Sequence, residues 1–184
     1  MMTYQKEFEN EMIKVEVVNT SKNQLPSYEH NWDAGCDIRA DFSEITPENP
    51  IKAKGDCQFL FENPVNKIKS VILNPQARAI IPTGLTVSVP KGYELQVRPR
   101  SGLSFKTGLT LANSIGTIDT FYRDPIGIIV INNGFEPVVI EDGERIAQFI
   151  LNKIAPIQWV QKTSKSEFSD QNDRGGGFGS TGIK

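Results

Sequence analysis

Ala79-Ile80-Ile81-Pro82-Thr83-Gly84-Leu85-Thr86-Val87-Ser88-Val89-Pro90-Lys91-Gly92-Tyr93-Glu94-Leu95-Gln96-Val97 is three short apolar runs joined by two turns. In the second and third runs apolar residues alternate with polar ones, so an extended chain turns one face to a core and the other to water. Pro82-Thr83-Gly84 and Pro90-Lys91-Gly92 are turn signals, because proline presets φ and glycine accepts the conformations that end a strand. The same pattern extends outward. Upstream, Ile13, Val15 and Val17 alternate with Lys14 and Glu16. Downstream, runs at 126–131, 138–140, 146–151 and 158–160 follow, with Asn133-Gly134 and Asp142-Gly143 between them. Only residues 101–107 could make a helix, and then a turn or two. Many short strands without amphipathic helices between them read as a sandwich or barrel. The fold class is all-β.

The chain has 184 residues, enough for one compact domain with loose ends. Residues 1–11 are polar and acidic and read as a loose N-terminal extension with no secretory signal. Residues 12–161 read as the β domain. Within it, 46–69 carries Pro47, Pro50 and Pro64 and mixed charge, and reads as an insertion with a small hairpin around 57–61. Residues 162–184 read as a flexible arm with only Phe168 to bury, ending in a glycine-rich stretch. The apolar stretch at 126–131 is six residues long, against roughly 20 needed to cross a bilayer, so no membrane span is expected. Twenty basic and 22 acidic residues give a net charge of −2, which argues against a protein that coats nucleic acid. Two cysteines, Cys36 and Cys57, have neither metal-ligand nor disulfide spacing. His30 is the single histidine, so histidine-rich zinc sites are excluded. A reducing cytoplasm is the expected compartment.

Three segments could carry chemistry. Arg174-Gly175-Gly176-Gly177-Phe178-Gly179-Ser180-Thr181-Gly182 fits a glycine fingerprint on paper, but no strand precedes it and no helix follows. Either it is a bland glycine-rich tail, or a strap whose amides, hydroxyls, arginine and aromatic ring close over a phosphate chain and stack on a base. Arg98-Pro99-Arg100-Ser101-Gly102-Leu103 stands where the helical turn begins. Ser101 is suited to an N-cap, and an arginine beside free amides suits an anion; as plain structure it is a cap among solvated arginines. Asn113-Ser114-Ile115-Gly116-Thr117-Ile118-Asp119-Thr120-Phe121-Tyr122-Arg123 places an aspartate where a strand rarely has one. Asp119 is either a general base or the corner of a turn. Ala34-Gly35-Cys36-Asp37, read as a glycine turn presenting a carboxylate, and Glu144-Arg145-Ile146-Ala147-Gln148 are weaker signals.

Taken in order, these five segments resemble the five motifs of the trimeric dUTP diphosphatase (dUTPase) family. Residues 34–38 resemble the first motif, 100–103 the second, 116–123 the third, 143–148 the fourth and 174–182 the fifth. The resemblance runs from about Ile13 to Gly182. It implies a jelly-roll-like, β-clip subunit with one short helical turn, and a homotrimer whose active sites are shared between subunits. It implies hydrolysis of dUTP to dUMP and pyrophosphate, with Mg²⁺ as cofactor. Asp119 would activate the attacking water, with Ser101 also among the catalytic residues. Arg100, Ser101, Gly102 and Gln148 would bind phosphates, and Asp37 would hold the metal through water. Asn113, Gly116, Thr117 and Ile118 would read the uracil edge, while Tyr122 would lie under the deoxyribose. Phe178 would stack on uracil, and Arg174, Gly179, Ser180 and Thr181 would close on the outer phosphates. The chain departs from the family pattern at Cys36, often an aromatic, at Asp124-Pro125, usually Gly-acidic, at Gly127, commonly lysine, and in a tail motif one residue short.

Two other readings use the same residues. A dCTP deaminase shares this fold, but the segment from Asp119 to Tyr122 suits the hydrolase better. A nucleotide-sensing regulator would bind a partner protein through 46–69.

Overall fold

Alternation in the sequence becomes alternation in burial. Strand β7 (Leu85–Ser88) buries Leu85 and Val87 and leaves Thr86 and Ser88 partly exposed, and β11 (Gly127–Asn132) buries Ile128, Val130 and Asn132. The computed structural model describes residues 12–62, 67–170 and 172. The other strands are β1 (Glu16–Asn19), β2 (Cys36–Arg39), β3 (Ala53–Lys54), β4 (Cys57–Glu62), β5 (Lys67–Leu73), β6 (Arg78–Pro82), β8 (Tyr93–Pro99), β9 (Leu109–Leu111), β10 (Gly116–Ile118), β12 (Val138–Glu141) and β13 (Arg145–Lys153). A single α-helix among the described residues, α1 (Ser101–Thr107), joins β8 to β9.

The strands form four antiparallel sheets, ordered β1-β7, β10-β8-β13-β2, β3-β6-β11-β9 and β12-β5-β4. Their inner faces meet in one core built on Ile38, Phe42, Leu73, Ile81, Ile126, Ile128, Val130 and Ile140, each 1% exposed or less. The turn between β6 and β7 shows how local chemistry fixes register. Buried Thr83 donates its hydroxyl to the Ile126 carbonyl at 2.8 Å and accepts the Leu85 amide at 3.2 Å. Gly84 follows at φ +67°, where a side chain would also run into Ser21. Segment 46–69 contributes β3, β4 and the start of β5, and places Ile51 and Ile68 in the core.

Two sequence expectations need correction. The residues around Asp37 are no glycine turn: Cys36–Arg39 is a strand, because β13 supplies the hydrogen-bonding partner that the local sequence could not reveal. Gln158–Val160 forms no strand, because among the described residues no other strand pairs with it. Residues 155–184 make a second unit, whose described part holds one 3-10 turn (Lys165–Glu167) and exposes Ile157, Trp159 and Val160. Among the described residues no helix is long and apolar enough to cross a membrane.

Candidate active site

The pairing of β2 with β13 sets Asp37 opposite Gln148, and β13 in turn sets Gln148 opposite Arg98 of β8. β8 runs directly into α1, so Arg100 arrives beside Asp37. Arg100 Nε donates to Asp37 Oδ1 at 2.9 Å and its terminal nitrogen to Oδ2 at 3.3 Å. Arg145 donates to the same Oδ2 at 3.1 Å and stands 3.9 Å from Glu29. A carboxylate gripped by a guanidinium fork is fixed in orientation as well as neutralised. A further Arg100 nitrogen donates to the Arg145 carbonyl at 3.2 Å, tying the start of α1 to β13.

A cleft of about 410 Å³ opens in front of this network, lined by Asp37, Arg100, Ser101, Gly102, Leu103, Lys106, Thr107 and Gln148. Gln148 is held there from two sides. Its Nε2 donates to the Pro99 carbonyl at 3.0 Å, and its carbonyl oxygen fills the place a side chain on Gly35 would need. Ser101 is not the N-cap expected from the sequence. Arg100 takes that position with extended backbone, no side chain caps the helix, and Ser101 is the first helical residue. Its hydroxyl is therefore not spent on a helix amide. At the other end of α1, Gly108 adopts φ +79° and packs against Gly134, close enough that a methyl on either glycine would collide with the other segment's backbone.

The third sequence segment lies elsewhere. β10 pairs with β8 at the opposite edge of the sheet from β2. Asn113 leads into a tight turn in which Ser114 takes φ +60°, a conformation L residues seldom adopt and that concentrates at functional sites. Gly116 lets the Asn113 amide lie against the strand, 3.3 Å from where a Cβ would stand. Asp119 follows β10, exposed, and accepts the Tyr122 amide at 3.1 Å. Arg123 clamps this loop, donating to the Thr120 and Tyr122 carbonyls at 2.7 Å and to the Ser88 hydroxyl at 3.0 Å. Tyr122 hydrogen-bonds the Pro125 carbonyl at 3.3 Å.

The structure thus gathers Asp37, Arg100, Ser101, Gly102 and Gln148 in one cleft. It sets Asn113, Gly116, Thr117, Ile118, Asp119 and Tyr122 at the far edge of the same sheet. Arg174, Phe178, Gly179, Ser180 and Thr181 lie outside the described residues. Behind Asp37, burial pushes the Cys36 thiol above its ordinary range, the Tyr28 hydroxyl hydrogen-bonded to it pulls it back, and the neighbouring Asp37 charge raises it further. Both cysteines are free.

A family model described as dUTPase matches residues 65–182. The deoxyuridine 5'-triphosphate nucleotidohydrolase of Finegoldia magna is 41% identical over 171 residues, covering 93% of this chain and 100% of its own. The chain belongs to the dUTPase family. The nucleotidohydrolase of the same name from Fusobacterium nucleatum is 39% identical over 171 residues, 92% of this chain and 97% of its own. Among solved structures, the Staphylococcus bacteriophage 80alpha dUTPase with dUpNHpp superposes with a TM-score of 0.70 at 27% identity, covering 94% of this chain and 100% of that one. The all-β architecture is therefore that of dUTPases. Against this background, sequence reasoning left without a role Lys106, which lines the cleft, and Gly35 and Arg145, which hold its Gln148 and Asp37. Gly35 and Arg145 lay inside quoted motifs, but their roles come from a cross-strand register with a bulge between Arg145 and Ala147, which no single strand's sequence encodes.

Proposed function

We propose that this chain hydrolyses dUTP to dUMP and pyrophosphate in active sites shared between the subunits of a homotrimer, in the cytoplasm. One observation carries the shared-site reading. Asp37 and the Asp119 loop sit at opposite edges of a four-stranded sheet. Three strand spacings put them about 14 Å apart across the sheet, and the register adds about 10 Å along it. A base and a metal-holding carboxylate that serve one phosphate chain have to converge on it. Within one chain these two do not, so copies supply the halves to each other.

Phosphoryl transfer asks the protein chiefly for positioning, charge neutralisation and a base for water. Asp119, exposed beyond β10, takes a proton from the water that attacks the α-phosphate. Arg100 and the Ser101 hydroxyl bind the phosphate oxygens, Gly102 lets them approach the backbone, and the Gln148 amide, already fixed by Pro99 and Gly35, donates to them. At the far edge, Asn113 with Gly116, Thr117 and Ile118 meets the uracil edge. A mismatched base left unpaired there costs about 1–3 kcal/mol per group. Tyr122 packs under the sugar. From the arm, Phe178 stacks on the base while Arg174, Gly179, Ser180 and Thr181 close over the outer phosphates, which excludes bulk water and leaves the attacking water in place.

The donor set also fits Mg²⁺. Among the described residues no three His, Cys, Asp or Glu side chains gather into a metal cage. Asp37 accepts three N–H bonds, which leaves about one of a carboxylate's four acceptor sites. That suits an ion that keeps its waters and takes ligands from substrate phosphates, with Asp37 holding one such water. Bound there, it would supply charge neutralisation and polarisation of phosphate oxygens.

The test is pyrophosphate release from dUTP, UTP, dTTP and dCTP, with Mg²⁺ and with EDTA. Turnover confined to dUTP with Mg²⁺ is expected, and Asp119→Asn should bind dUTP yet turn over on the order of 10³-fold more slowly. Near-normal rates in that variant would remove Asp119 from its role.

A further inference from the structure

The cleft in front of Asp37 carries a charge that its ion pairs do not consume. Asp37 and Glu29 face Arg100 and Arg145, so two carboxylates and two guanidiniums cancel. Lys106 lines the same cleft as Arg100, Ser101, Gly102 and Gln148, and among the described residues it makes no salt bridge. It follows Gly102 by four residues in α1, which puts the two on one helical face. Helical side chains lean toward the N-terminus, so Lys106 leans over the turn that carries Gly102. A Cβ at Gly102 would meet no atom of the described residues within 4 Å, and its backbone, in a helix, asks for no glycine. Lys106 therefore stands in the wall of a cleft whose floor at Gly102 is open space that the described packing does not fill.

A lysine in the last turn of a helix also offsets the helix dipole. That role asks only for charge near the C-terminal carbonyls and gives no reason for a place in the cleft wall or for a bare glycine one turn below.

We infer that Lys106 is a further phosphate-binding residue, and that it holds the outer end of the substrate's phosphate chain and the pyrophosphate product. Coulomb attraction scales with charge, and a terminal phosphate bears close to two negative charges at neutral pH where an internal one bears a single charge. Among the described residues of the cleft Lys106 is the cation left without a carboxylate partner, and it is best matched to that end. Arg100 lies six residues earlier, about 9 Å along the helix axis, so the two cations serve different phosphates rather than the same one.

The inference rests on reading the cleft as the dUTP site, and its test separates the two. Calorimetric titration of magnesium pyrophosphate and of dUMP into the full-length wild-type chain, Lys106→Gln and Lys106→Arg is compared with dUTP turnover. Lys106→Gln is expected to lose affinity for pyrophosphate, and to raise KM for dUTP, on the order of tenfold, with dUMP affinity kept and Lys106→Arg restoring most of the loss. Unchanged pyrophosphate affinity overturns the inference, as does an equal loss for dUMP. Lost pyrophosphate binding in Lys106→Gln, with a wild-type chain that leaves dUTP intact, would retain Lys106 as a polyphosphate ligand and overturn the proposed activity instead.

Discussion

Glycine at 102 and glycine at 35 answer different demands. A side chain at Gly35 would strike the Gln148 amide, so that glycine exists for a neighbour within the protein. At Gly102 a side chain would strike nothing. Glycine inside a helix costs about 0.5–1 kcal/mol relative to alanine, and no contact among the described residues recovers it. Gly102→Ala should therefore raise stability by about that amount in chemical denaturation, while KM for dUTP rises because a methyl occupies the space a phosphate uses. A variant no more stable than wild type, or one with unchanged KM, would reverse this reading. The sequence exposed Gly102 as part of a motif, since Arg-Ser-Gly-Leu is contiguous. It could not distinguish the two kinds of glycine, because the neighbour that decides the matter at Gly35 is 113 residues away in the chain.

At the scale of elements, α1 is short but held at both ends. Arg100 ties its start to β13 and Asp37. Its end rests on the turn after β11, where Gly108 and Gly134 pack backbone to backbone and the Asn133 amide donates to the Gly108 carbonyl at 3.1 Å. Asn132, fully buried, fixes that turn: its amide donates to the Leu73 and Glu136 carbonyls at 2.8 Å and its oxygen accepts the Gly134 amide at 2.8 Å. Gly134 lines no part of the cleft, yet it sets the position of the helix that does. Gly134→Ala, by forcing a backbone shift of about 1–3 kcal/mol, should lower the melting temperature by roughly 5 °C. It should also raise KM for dUTP, and a loss of stability with KM unchanged would disconnect the turn from the cleft. Asn133-Gly134 is readable as a turn from sequence, and 101–107 as the helical segment. That one is the seat of the other is not readable, because the contact is tertiary. For the same reason β2 looked like a turn and Gln158–Val160 like a strand: strand partners, present for the first and absent among the described residues for the second, outweigh local pattern.

At the scale of the whole molecule, the sheet β10-β8-β13-β2 keeps two chemistries apart. The cleft lined by Asp37, Arg100 and Gln148 lies at one edge and the Asp119 loop at the other. If copies complete each other's sites, two inactive proteins can repair one another. Arg100→Gln and Asp119→Asn, each expected to be nearly inactive alone, should regain dUTP turnover when unfolded together and refolded as a mixture, since some sites then draw an intact cleft from one chain and an intact loop from the other. A mixture as inert as its parts would mean that each chain builds its site alone. The all-β class was legible in the alternation of 79–97, and the motif segments in their composition. Their division between the two sheet edges was not, because it follows from strand order, which local alternation leaves open. The same division has a consequence during synthesis. On the shared-site proposal, a chain leaving the ribosome folds with both halves in place but neither facing its complement, so dUTP would go untouched until copies meet. The lag before activity would then be set by encounter rather than by folding, and halving expression would lower activity by more than half wherever copies are scarce.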